Sequence, residues 1–74
     1  MKRITLTAIF EREGDGYVSL CPELDIASQG TTRDEARRNL TEAVEGFLEC
    51  ASKIEIDARL SSERYVESLE VDVA

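Results

Sequence analysis

Histidine and tryptophan are absent from this 74-residue chain, proline occurs once, and aromatic residues are limited to two tyrosines and two phenylalanines. Without histidine no Ser–His or Cys–His couple can form, and both the commonest general base and the commonest metal ligand are missing. Basic residues are in the minority: nine Lys and Arg stand against sixteen Asp and Glu, a net charge of −7. Phosphate binding needs a basic patch, so nucleic acid is not expected as a direct partner. An acidic surface suits a basic protein, because opposed fields speed encounter and penalise wrong partners; it also serves solubility alone.

Two cysteines, Cys21 and Cys50, are too few for a disulfide framework and match no metal spacing. Both are expected as small buried hydrophobes. No apolar run is long enough to span a bilayer. The basic start MKRITLTAIF continues as alternation, not as the apolar core of a signal peptide. A cytoplasmic location is expected. Gly14 and Gly16 precede a strand pattern, not a helix, and so fail the context of a dinucleotide loop. The chain is long enough for one domain over residues 1–74, without repeats or linkers. A domain of this size buries only about 60% of the surface its unfolded form exposes, and oligomerisation is one common remedy.

What is present is organised around Tyr17–Glu49. Thr32-Arg33-Asp34-Glu35 is a capping pattern, in which Thr32 accepts from a free first-turn N–H and Glu35 reaches back to the N–H of Thr32. Apolar residues then recur at Ala36, Leu40, Ala43, Val44, Phe47, Leu48 and Ala51, steps of three and four along one helix face. Such a stripe needs a surface to pack against.

The flanks supply it as strands. Residues 2–12 alternate, with Ile4, Leu6, Ala8 and Phe10 on the inner face. Glu13-Gly14-Asp15-Gly16 suits a hairpin turn, and Tyr17 to Cys21 returns with Val18 and Leu20 inward. Pro22 ends that strand, Glu23-Leu24-Asp25 bends the chain, and Ile26 to Gln29 makes a third strand that Gly30 releases into the helix. Ser52-Lys53-Ile54-Glu55 repeats the cap, which predicts a break near Ala51 and a short helix to about Leu60, held to the core by Ile56 and Leu60. Tyr65 to Val73 alternates again, with Leu69, Val71 and Val73 inward and Ser68, Glu70 and Asp72 outward, a fourth strand. The order β-β-β-α-α-β specifies an α+β fold of two layers: an antiparallel sheet of about four strands with the helices packed on one face.

Asp15, Glu23, Asp25 and Glu35 fall near loop ends, where a pair could hold a divalent metal or act as acid and base. With sixteen acids in 74 residues such proximity is expected by chance. No catalytic residue, metal or cofactor is assigned. The uncovered sheet face, read as Thr5, Thr7, Ile9, Tyr17 and Ser19, is half apolar. It suits a protein contact anchored by Tyr17, most simply in a two-fold dimer.

Tyr17-Val18, Pro22-Glu23-Leu24, Ser28-Gln29-Gly30-Thr31-Thr32, Glu35-Ala36, Asn39, Glu42-Ala43-Val44 and Phe47-Leu48-Glu49, in that order, resemble the HicB family of antitoxins. The resemblance implies a domain, likened in fold to a shrunken ribonuclease-H-type sheet, that binds and silences HicA. HicA-type toxins are small, basic and RNA-cleaving, with a double-stranded-RNA-binding-like fold and a catalytic histidine. Fold alone carries no nuclease activity over. Against such a partner the expected contact groups are Glu11, Glu13 and Asp15 with Tyr17, the segment Glu23 to Asp25, and Glu67, Glu70 and Asp72. Full-length relatives carry a C-terminal helix-turn-helix or ribbon-helix-helix, which the residues up to Ala74 lack, so operator binding is not expected. Asp25-Ile26-Ala27 also replaces the usual Pro-Gly-Cys turn. The alternative is an orphan oligomeric interaction module without a toxin partner.

Overall fold

The computed structural model describes residues 3–74. Three strands, β1 (Ile9–Glu13), β2 (Gly16–Cys21) and β3 (Ile26–Gly30), are followed by helices α1 (Arg33–Cys50) and α2 (Lys53–Leu60). The strands form one antiparallel meander in the order β1-β2-β3, and α1 lies across β2 and β3. This is the expected α+β arrangement with a three-stranded sheet.

The hairpin joining β1 to β2 is set by Gly14-Asp15. Gly14 has φ +59° and Asp15 does not share the left-handed region, the pattern of a type II′ turn with glycine at its first central position. The two-residue loop makes Glu13 face Gly16, and hence Phe10 face Ser19 and Ile9 face Leu20. At the other end of β2 the turn Pro22–Asp25 is closed by the Asp25 N–H donating to the Pro22 carbonyl at 3.3 Å. Asp25 takes φ 55°, a region Asp tolerates better than most residues.

Thr32 caps α1 as expected, its hydroxyl accepting from the Glu35 N–H at 3.1 Å. The Glu35 carboxylate reaches back one residue further than expected, accepting from the Thr31 N–H at 2.7 Å. Ser52 caps α2 in the same manner, accepting from the Glu55 N–H. Ile56 is half-buried, but Leu60 remains exposed. α2 is held chiefly by Arg59, whose guanidinium donates to the Leu24 carbonyl and lies 4.7 Å from the Phe47 ring centroid.

The core is small. Cys21, Leu24 and Leu40 are its buried centre, and Leu6, Ile26, Val44, Phe47 and Leu48 pack around them half-buried. Ala36 and Ser19 are also buried, where the first turns of α1 press on β2: the Ser19 hydroxyl donates to the Ala36 carbonyl at 2.9 Å. Cys50, in contrast to the sequence expectation, is exposed. Gly46 sits where an added Cβ would meet no atom within 4 Å. Gly46→Ala is therefore expected to stabilise the protein by about 1 kcal/mol through helix propensity, read as a raised midpoint in urea.

Three expectations are corrected. The first strand begins at Ile9, not near residue 2; Met1 and Lys2 lie outside the described residues. Ile9 pairs with Leu20, so residues before Ala8 would have to pair beyond Cys21, where Pro22 turns the chain away and has no N–H to offer. The β2 phase is reversed: Tyr17, Ser19 and Cys21 face α1, while Val18 and Leu20 face outward. The helix approaches so closely that only small side chains fit beneath Ala36. The fourth strand is absent: Tyr65 to Val73 has no regular structure and is exposed throughout. Alternation prescribes which side of a strand would be buried, but a strand also needs a partner backbone, and among the described residues the segment meets none.

Candidate functional site

The sheet face turned away from α1 is built by register. Ile9, Leu20 and Ala27 form one row across the three strands, and Glu11, Val18 and Gln29 form the next. Among the described residues no helix covers this side. Ile9 and Ala27 are exposed, Val18 and Leu20 half-exposed, and Glu11 and Glu13 border them along β1. An apolar strip beside carboxylates can seat the aliphatic stems of Lys and Arg while pairing their charged ends.

The residues expected to touch a partner do not converge. Glu11 lies on this outer face, and Glu13 and Asp15 lie at or beside the hairpin, all exposed. Tyr17 pairs with Arg12 and Gly30 on the helix side, half-buried, with the Arg12 guanidinium 5.8 Å from its ring centroid; it is not the outward anchor expected of it. Glu23 and Asp25 occupy the β2–β3 turn, at the opposite end of the sheet from Asp15. Glu67, Glu70 and Asp72 stand on the exposed C-terminal segment. Among the described residues no three Cys, Asp or Glu side chains come together in a way that could hold a metal ion.

Glu23 has an internal occupation. Its carboxylate accepts from the Thr7 N–H at 3.0 Å and from the Thr7 hydroxyl at 2.6 Å, tethering the segment before β1. Partial desolvation pulls its pKa up, but the hydrogen bonds from Thr7 and the backbone outweigh this and leave it below the usual carboxylate value. A depressed carboxylate contributes stability that is present above its unfolded pKa and lost as pH falls through the folded one. The tether is thus expected to hold at neutral pH and to release only as pH falls below the ordinary Glu value of about 4.3. The Thr7 amide resonance in an NMR titration should report it. A Glu23→Gln protein with an unaltered Thr7 resonance would contradict the tether.

Cys21 is buried, and burial, the largest influence, pushes its thiol pKa up. A thiol kept protonated is a poor nucleophile.

A second feature lies on the helix side. Between α1 and the segment leading into β1 runs an open groove of about 560 Å³, walled by Ile4, Leu6, Ala8, Leu40, Val44 and Leu48, with Cys21 also lining it. Arg3, Arg37 and Glu45 stand among its polar residues. On the sheet side it is walled by residues 3–8, which lead into β1, whose free edge begins at Ile9 where the groove's lining ends.

The outer row could have been read from the sequence. A two-residue Gly14-Asp15 loop pairs Phe10 with Ser19, so placing Phe10 inward also places Ser19 inward and Val18 and Leu20 outward. Arg59 gave no comparable signal, because its acceptor is a backbone carbonyl 35 positions away. Among the described residues no helix is long and apolar enough to cross a membrane. In comparisons with known proteins, the chain matches no family model, no curated protein and no solved structure.

Proposed function

We propose that this chain is a protein-binding module of the antitoxin type, which silences a small basic RNA-cleaving toxin of the HicA kind by masking its surface and performs no chemistry itself. The observation that carries the reading is the outer sheet face, where the strip Ile9, Val18, Leu20 and Ala27 lies open beside Glu11 and Glu13. The net charge of −7 supports a basic partner, and the ordered motif residues from Tyr17 to Glu49 support the toxin class. Histidine is absent, and the buried thiol is held protonated. Both favour adhesion over catalysis, in a cytoplasmic setting.

Co-purification with a HicA-type toxin tests this. The complex is expected at low salt, weakened as ionic strength rises, and lost in Leu20→Asp and in Glu11→Lys/Glu13→Lys. Toxin RNase activity restored by those variants and suppressed by the wild type would complete the case. A toxin that stays fully active beside excess wild-type protein, with no complex at low salt, sinks the reading.

The orphan reading, a self-associating module, is favoured by a different observation. The groove between α1 and the segment leading into β1 is open, while Tyr65 to Val73 leaves large apolar side chains in water.

A further inference from the structure

We infer that Tyr65–Val73 of one copy adds as a fourth strand beside β1 of a second copy, which makes the protein an arm-exchanged homodimer whose partner-binding face is completed across the two chains. The inference rests on the self-association reading and joins it to the proposed binding face.

The arm and the groove match in four respects. The first is the backbone: β1 is an edge strand with one side unpaired, and an edge of this kind is a template for strand addition. The second is pattern. Leu69, Val71 and Val73 are spaced by two, so an extended arm turns them to one side, and they are 87%, 70% and 89% exposed. The groove offers Leu6, Leu40, Val44 and Leu48 between α1 and the segment that runs into the start of β1. The third is charge: residues 65–74 carry Glu67, Glu70 and Asp72 and no base, whereas Arg3 and Arg37 outnumber Glu45 at the groove.

The fourth is area. The chain exposes 6382 Å², while a compact monomer of 8.3 kDa exposes about 4,600 Å². Its radius of gyration is 14.6 Å, against about 11 Å for a compact 74-residue domain. The excess surface, about 1,800 Å² per chain and so about 3,600 Å² for a pair, is of the size an obligate homodimer buries. A second copy is the occupant because each chain leaves its own groove open and carries its arm away from its own body. Arg59 anchors α2 at Leu24, just before the arm departs.

The consequence for binding follows from strand alternation. With Leu69, Val71 and Val73 in the groove, Ser68, Glu70 and Asp72 turn to the outer face and lie beside Ile9 and Glu11 of the other chain. The acidic residues that one chain scatters would thereby gather on one surface.

Sedimentation of the purified full-length protein, with no toxin present, is expected to give twice the 8.3 kDa chain mass. Val71→Asp, placed where one chain makes no core contact, should halve that mass and leave the circular dichroism of the helices unchanged. Pairing is tested with Ala8→Cys/Val71→Cys in a Cys50→Ser background. Mild oxidation should yield a disulfide-linked dimer. A disulfide within one chain at monomer mass would overturn the exchange in favour of the chain's own arm. A wild-type monomer at all concentrations, or a dimer indifferent to Val71→Asp, would overturn it outright. Toxin binding is measured separately: a dimer that binds no toxin leaves the exchange standing and removes the antitoxin reading. A monomer that still binds toxin does the reverse.

Discussion

Leu24→Ala is expected to lower the free energy of unfolding by about 2–5 kcal/mol, the range for truncating a fully buried leucine. Leu24 is 0% exposed although it sits in a four-residue turn, and its side chain closes the core formed with Cys21 and Leu40. Its carbonyl also receives the Arg59 guanidinium, so a shift of this turn would loosen α2 as well. A chain of this length has a total stability of roughly 4–11 kcal/mol, and the loss would lower the melting temperature by about 10–30 °C. Phe47→Ala should cost less: Phe47 is only half-buried and one side of its ring lies under Arg59. Urea melts of the two variants decide the order. A Leu24→Ala midpoint nearer to wild type than that of Phe47→Ala would displace Leu24 from the centre of the core.

Gly30→Val is expected to cost about 3 kcal/mol or more, at the upper end of overpacking penalties. The reason is space. Gly30 ends β3 directly beneath the start of α1, and a Cβ there would lie 2.5 Å from the Ala36 nitrogen and 2.8 Å from the Glu35 carbonyl carbon. Those atoms are helix backbone and cannot swing aside as a side chain can. Relief would require lifting the first turn of α1 from β2, which would break the buried bond from Ser19 to the Ala36 carbonyl. Gly30→Ala meets the same atoms and should be destabilising in the same sense. Gly46→Ala, in open space, should change stability in the opposite direction. If thermal melts show Gly30→Ala as harmless as Gly46→Ala, the close approach of helix and sheet is not real.

The parts legible in the residues were those stabilised over short distances. Thr32 and Ser52 cap their helices through bonds spanning three residues. Gly14 supplies the one positive φ its hairpin needs. The face of α1 that carries Leu40, Val44 and Phe47 is given by spacing alone. The outward direction of Val18 and Leu20 was misjudged because apolar side chains were assigned to the core by kind. The helix instead presses so near that Ser19 and Cys21 are the residues that fit. The candidate site suffered accordingly: Tyr17 lies on the helix side, Glu23 is bound to Thr7, and the face that remains is carried by Ile9, Glu11, Val18, Leu20 and Ala27.

By itself, the order of residues determined the α+β class, the two helices with their caps, the hairpin and the acidic character of the surface. Each depends on neighbours within a few positions or on a sum over the chain. Only the tertiary structure decided which side of the sheet meets the helix, that Leu24 and not Phe47 is the fully enclosed side chain, and that Tyr65 to Val73 finds no strand partner among the described residues. The physical reason is common to all three. Burial and strand pairing are contacts between segments far apart in sequence, and periodicity states what a segment requires of a partner without stating where that partner is.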